Sequence, residues 1–345
     1  MIITPFTIGS HLIGGDRTFV VVEEGQANLG DFEAALEMIR VASQTGADAI
    51  EFQLATAADF YIQEHRGYQI YKDREFSDAQ LIELCNYAKQ NRLELIVAPF
   101  SLHIVKVMSE NGASAFNING SDLTNPEILD AVAESGLPFF LSLILADEDE
   151  VDWAVKRIRE KSPDAEFGLL LGQHTMASGG SGVLLNHTNL GYIETLKQRY
   201  GIPVGFIDHT PLEWTASLAV AAGAHIITKH IAISREKRGP DWKICLEPDE
   251  MKRCVINIRE VESSLAEKEK VMAPGEDVDR SIMRRSIVAA KDLAAGTYLR
   301  REELVFRRPG TGLSPDKYEQ LLGKKLRADF NKDDQITLRD VEIEE

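Results

Sequence analysis

Apolar residues along this chain gather into short continuous runs, and each run is followed by a stretch with helical periodicity. Eight runs read as strands: Thr18–Glu23, Ala49–Gln53, Leu93–Ala98, Ala115–Ile118, Phe139–Leu143, Phe167–Leu171, Val204–Ile207 and Ile226–Lys229. They do not alternate with polar positions, which is the pattern of parallel strands covered on both faces. Helix signals fall between them. Asp31 precedes Ala34, Ala35, Met38, Ile39 and Ala42, which share one helical face, and Gly46 closes the segment. Ser77 and Gln80 match a capping box, and Asn125 before Pro126 opens a helix that Gly136 ends. Eight strand-then-helix units predict an α/β fold, a (β/α)8 TIM barrel rather than a doubly wound sheet.

The texture then changes. A helical pattern from Pro248 to about Lys268 gives way to the polar stretch "VMAPGEDVDRS", and from Met283 onward short strand signals alternate with turn residues. This predicts a barrel domain over 1–268, a linker over 269–282 and a small β-rich domain over 283–345.

Composition narrows the classes. Of 345 residues, 44% are hydrophobic and 27% charged, the balance of a globular chain. The apolar runs fall far short of the roughly 20 residues that span a bilayer. The N-terminus shows neither a basic segment nor a small-residue cleavage site, so neither a signal peptide nor a membrane partner is expected. Three cysteines without a C-x-x-C pair suit a reducing, cytoplasmic setting. A formal net charge of −17 argues against nucleic acid as a partner but leaves room for a local cationic pocket.

In a parallel barrel the chemistry lies at the C-terminal strand ends. Those positions hold Glu23 and Glu24, Glu51 and Gln53, Ala98, Asn117 and Asn119, Ser142, Gln173 and His174, Asp208 and His209, and Lys229 and His230. Polar residues also resume wherever a strand stops, so each position alone says little. The joint set says more. His209 and His230 end adjacent strands and are candidate ligands for one divalent ion, with hydrogen-bonded structural histidines as the alternative. Carboxylate and amide neighbours suit a hard or borderline ion. The loop "QHTMASGGSG" offers backbone amides to an anion, or is simply a loop tip. There is no G-x-G-x-x-G, P-loop or G-x-S-x-G pattern.

Several segments together resemble the sialic acid (N-acetylneuraminate) synthase family. "VVVEEGQANLGDFEAALEMIRVASQTGADAIEFQ" resembles its opening, where a strand ends in A-E-I-G and a later one in K-F-Q. "VAPF" resembles S-T-P-F, and "FNINGSDLTNPEILDAVAESGLPFFLS" resembles Y-K-I-x-S-x-D-L-T-N with its following G-K-P. "VGFIDHT" resembles V-G-x-S-D-H-T, and "AAGAHIITKHIAISREKRGPDW" resembles A-x-G-A-x-x-x-E-K-H-F and the later G-P-D. The tail, through "FRRPGTGL", is similar to the antifreeze-like (SAF) domain of these synthases.

The resemblance implies an enzyme that condenses phosphoenolpyruvate with a sugar aldehyde to a 2-keto-3-deoxy sugar acid, using Mn2+ or Mg2+, in surface-glycan or other specialised carbohydrate synthesis. It implies metal ligands His209 and His230 and a catalytic Glu23, and Asp208 and Lys229 join the catalytic set through the D-H-T and K-H motifs. Substrate contacts are expected from Gln53, Asn117, Asn119, Ser142 and His174. Arg308 is expected to reach the neighbouring subunit's site in a homodimer with exchanged C-terminal domains.

The departures are specific. The lysines of K-F-Q and Y-K-I are Glu51 and Asn117 here, and the threonine of S-T-P-F is Ala98. Asn28, Thr228, His174 and Met176 also depart from the pattern. Two lost lysines remove cations that a phosphorylated, carboxylated substrate needs. A metal-dependent lyase, aldolase or isomerase that does not use phosphoenolpyruvate, or a non-catalytic sugar-binding relative, therefore stands as the alternative.

Overall fold

Ahead of the first expected strand lies an antiparallel hairpin of β1 (Phe6–Ile8) and β2 (His11–Ile13). Three-residue strands are too short to show a period, so the apolar pattern did not reveal it. Phe6, Ile8 and Ile13 pack with Phe19, Val21 and Phe140 inside the barrel and cover its N-terminal end. The computed structural model describes residues 3–342.

All eight expected strands form, each with ends within one residue of the apolar run that predicts it. They are β3 (Phe19–Glu23), β4 (Ala49–Leu54), β5 (Glu94–Pro99), β6 (Ala115–Ile118), β7 (Phe139–Ser142), β8 (Phe167–Gly172), β9 (Val204–Asp208) and β10 (Ile226–His230). Every pairing is parallel, and β10 returns to β3 to close the barrel. The helix signals hold as well. Asp31 accepts from the Ala34 amide, Ser77 and Gln80 cap reciprocally, and Asn125 caps the helix opened by Pro126.

Strand pleating sorts the side chains into two sets. Val20, Val22, Ile50, Phe52, Phe206 and Ile227 face the helices, whereas Val21, Ala49, Ile96, Leu170, Ile207 and Ile226 face inward. The register climbs about one residue per strand, so inward side chains from every second strand share a layer. Glu51, Asn117, Leu170 and Thr228 form one such layer, and Glu23, Ala98, Ser142 and Ile207 form the next towards the mouth. Packing at this level is close: a Cβ on Gly205 would lie 2.5 Å from the Ile226 carbonyl oxygen.

The same alternation corrects two expectations. Asp208 is in phase with Phe206, and Lys229 with Ile227, so both face the helices rather than the mouth. Lys229 Nζ lies 3.0 Å from Asp208 Oδ2 and donates to the Thr210 carbonyl at 2.5 Å. Asp208 Oδ1 accepts from the Thr210 amide at 2.8 Å. Both side chains are fully buried. Their geometry is that of a brace tying β9 and β10 to the loop after β9.

The chain divides into two units, with the break between Glu267 and Lys268. The helix Pro248–Leu265 is the last element of the first unit. In the second, β11 (Ser286–Ala289) pairs antiparallel with β12 (Leu304–Arg307) over a core that includes Ile287, Leu299, Leu321 and Ile336. Part of the segment expected to be linker is helical, over Glu276–Met283. Among the described residues no helix is long and apolar enough to cross a membrane.

The brace makes a stability prediction. Lys229→Met strands the buried Asp208 carboxylate and should cost about 3–5 kcal/mol in urea denaturation. The double change with Asp208→Leu should recover much of that loss. An equally unstable double variant would show that the pair does more than neutralise itself.

Candidate functional site at the barrel mouth

Closure of β10 onto β3 sets His230 beside Glu23 in register. His230 Nε2 lies 3.5 Å from Glu23 Oε1, and the same oxygen accepts from Gln53 Nε2 at 2.6 Å. His209 follows the last residue of β9, and its ring centroid lies 4.9 Å from that of His230. His174, after β8, meets His209 edge-on at 5.1 Å. Three imidazoles, one carboxylate and one amide thus surround the C-terminal mouth. Burial, then the neighbouring His230, His174 and Lys229, hold the His209 imidazole well below its usual range, so it is neutral there. Nδ1 of both His209 and His230 is buried without a protein partner.

Two further buried carboxylates lie close by. Glu24 is buried, and its Oε2 accepts from Asn28 Nδ2 at 2.8 Å. Burial pushes its pKa up to about 7, against the lowering effect of the Asn28 bonds. Glu51 lies beneath Glu23, where burial and then the Glu23 charge push it well above the carboxylate range. Asn117 Nδ2 donates to Glu51 Oε1 at 2.8 Å. The two positions where the resemblance places lysines are thus bonded to each other.

The other expected residues divide. Ser142 is buried on the inner wall and its Oγ has no protein partner. Asn119 accepts from the Ser121 amide at 3.1 Å and so shapes the turn after β6. His174 also borders a cavity of about 430 Å3 lined by Leu143, Gln173, Asn189 and Tyr192. Arg308 is an exposed residue of the second unit, just past β12. In the "QHTMASGGSG" loop the Gly179 and Gly180 amides bond to the Met176 and Thr175 carbonyls, which takes them from an anion.

Sequence reasoning missed Arg74. It is half-buried, donates to Gln26 Oε1 at 2.8 Å and lines a small cleft together with Gln53, Asn28 and Tyr71. It lies in the long connection after β4, where neither a period nor a motif marks it. Glu24 and Glu51 stand at strand ends and were visible as such, but only the structure shows both buried within reach of the Glu23 charge.

Comparison with known proteins agrees with this architecture. The NeuB family pattern matches residues 38–270 and the SAF domain pattern residues 284–342. An uncharacterized protein of Methanocaldococcus jannaschii is 34% identical over 330 residues, covering 95% of this chain and 96% of that one. The N,N'-diacetyllegionaminic acid synthase of Campylobacter jejuni is 28% identical over 334 residues, covering 93% and 99%. The crystal structure of the N-acetylneuraminic acid synthetase of Leptospira borgpetersenii in complex with citrate superposes with a TM-score of 0.73 at 28% identity, covering 81% of this chain and 96% of that one. With its closed parallel barrel, its histidine-lined mouth and its C-terminal SAF domain, the chain belongs to the NeuB family.

Proposed function

We propose that this chain is a carbon–carbon bond-forming synthase that condenses phosphoenolpyruvate with a sugar aldehyde at the barrel mouth. The product is a 2-keto-3-deoxy sugar acid. The observation that carries this reading is the convergence of Glu23, His209 and His230 in a chain related to legionaminic, pseudaminic and N-acetylneuraminate synthases.

His209 and His230 are the residues to hold a Mn2+ or Mg2+ ion. Their unpartnered buried nitrogens and the neutral state of His209 fit that use. Among the described residues no three His, Cys, Asp or Glu side chains form a ready-made metal centre, so water or substrate must complete the coordination. When bound, such an ion supplies Lewis-acid polarisation of the aldehyde carbonyl. Gln53 fixes the Glu23 carboxylate in the mouth, where it is set to accept a proton from water or substrate. Arg74 is placed to take over the anion contact that Glu51 and Asn117 no longer give. Asp208 and Lys229 support the wall.

The bonded Glu51–Asn117 pair favours a second reading, a metal-dependent lyase, aldolase or isomerase acting on a less anionic sugar. Incubation with phosphoenolpyruvate, Mn2+ and N-acetylated amino sugars decides between them. The first reading expects phosphate release together with a keto acid product. Conversion of sugar without consumption of phosphoenolpyruvate selects the second. On the first reading Arg74→Ala should raise KM for phosphoenolpyruvate about tenfold or more, the equivalent of one charge-assisted contact.

The assembly reading is a two-fold homodimer in which Arg308 of each tail serves the partner's barrel. Arg308→Ala and His209→Ala chains, each inactive alone, should then regain activity when mixed and allowed to exchange subunits. No recovery after verified exchange, or a monomeric mass in solution, refutes the shared site.

A further inference from the structure

The inner layer beneath Glu23 is polar where the barrel interior below it is apolar. Glu51, Asn117 and Thr228 supply three of its side chains and Leu170 the fourth, while Ser142 comes from the adjoining layer beside the small Ala98. The four polar residues are each no more than 2% exposed. After Asn117 Nδ2 has bonded Glu51 Oε1, four oxygens remain buried without a protein partner: Glu51 Oε2, Asn117 Oδ1, Thr228 Oγ1 and Ser142 Oγ. Native interiors pair such atoms with protein, water or an ion, so four in two adjoining layers mark a polar chamber that water or an ion must fill. All four are able to accept. Lys229 stands on the adjacent strand position to Thr228 but faces the helices, where it is spent on Asp208 and Thr210.

We propose that Glu51, Asn117, Thr228 and Ser142 hold a small oxygen-liganded cation, an alkali or alkaline-earth ion, inside the barrel beneath Glu23. One carboxylate, one amide carbonyl and two hydroxyls make an all-oxygen donor set, which suits hard cations with added water. It is chemically distinct from the imidazole pair at the mouth. The donor set selects a cation over an anionic substrate arm, because all four unpartnered atoms are oxygens and one belongs to a carboxylate. The ion offsets the Glu51 carboxylate, which otherwise lies in the interior next to the Glu23 charge. The competing occupant is water around a protonated Glu51.

The test uses the full chain carrying His209→Ala and His230→Ala, which removes the upper donors. Melting temperatures are recorded in choline chloride and with Na+, K+, Mg2+ or Ca2+ substituted at matched ionic strength. At least one ion should raise the barrel's Tm by about 4 °C or more at saturation. Adding Thr228→Val, a near-isosteric change that removes one oxygen, should weaken the apparent affinity for that ion about tenfold or more, as should Glu51→Gln. If Glu51→Gln does not fold, Thr228→Val carries the test. No ion-specific shift overturns the proposal, and so does a shift that survives the oxygen-removing changes undiminished.

Discussion

The strand register that closes β10 onto β3 is the constraint on which the rest of this molecule depends. It places His230 opposite Glu23, and through the climb of one residue per strand it fixes which side chains share a layer. The inward phase that carries His230 and Glu23 into the mouth also carries Thr228 and Glu51 into the layer below. The outward phase sends Lys229 and Asp208 to the helices. A slip of one residue in this closure would exchange the two sets, exposing an ion pair to the mouth and burying imidazoles against apolar helices. The buried Asp208–Lys229–Thr210 brace ties β10 to its other neighbour, β9, and so holds the register of β10 from that side.

This explains how much was legible beforehand. The eight apolar runs gave the strands because a parallel barrel buries both faces, and the helix caps were readable from Asp31, Ser77 and Asn125. Strand-end chemistry was readable as a set of residues but not as a set of directions. Asp208 beside His209, and Lys229 beside His230, look equivalent in sequence, yet adjacent strand residues point to opposite faces. The motifs D-H-T and K-H therefore each contain one residue for the mouth and one for the wall. The hairpin before β3 and Arg74 were not legible for different reasons. The first is too short for a period, and the second gains its meaning only when the connection after β4 folds back over Gln53.

Three buried carboxylates close to one another on β3 and β4 pose an electrostatic problem, and each is met by a side-chain amide. Glu23 is hydrogen-bonded by Gln53, Glu24 by Asn28 and Glu51 by Asn117. Burial then moves Glu24 up to about 7 and Glu51 well above the carboxylate range, so the wall carries less than its formal charge near neutrality. An anionic substrate approaching the mouth meets correspondingly less repulsion. The acidic floor is thus compatible with phosphoenolpyruvate only insofar as a proton or a cation neutralises it.

A proton and a small cation are alternative solutions to the charge of Glu51, and they leave different geometries. A protonated Glu51 needs an acceptor for its new hydrogen, and Thr228 Oγ1 and Ser142 Oγ can serve through water. A cation instead draws Glu51, Asn117 and both hydroxyls towards one point and orders the side chains directly beneath Glu23. In the second case the floor holds Glu23 in place from below while Gln53 holds it from the side. Replacement of the family's lysines by Glu51 and Asn117 then does not simply delete a cation from the site. It moves the positive charge from a fixed side chain to an exchangeable ion, and makes the mouth's electrostatics depend on what the surrounding solution supplies.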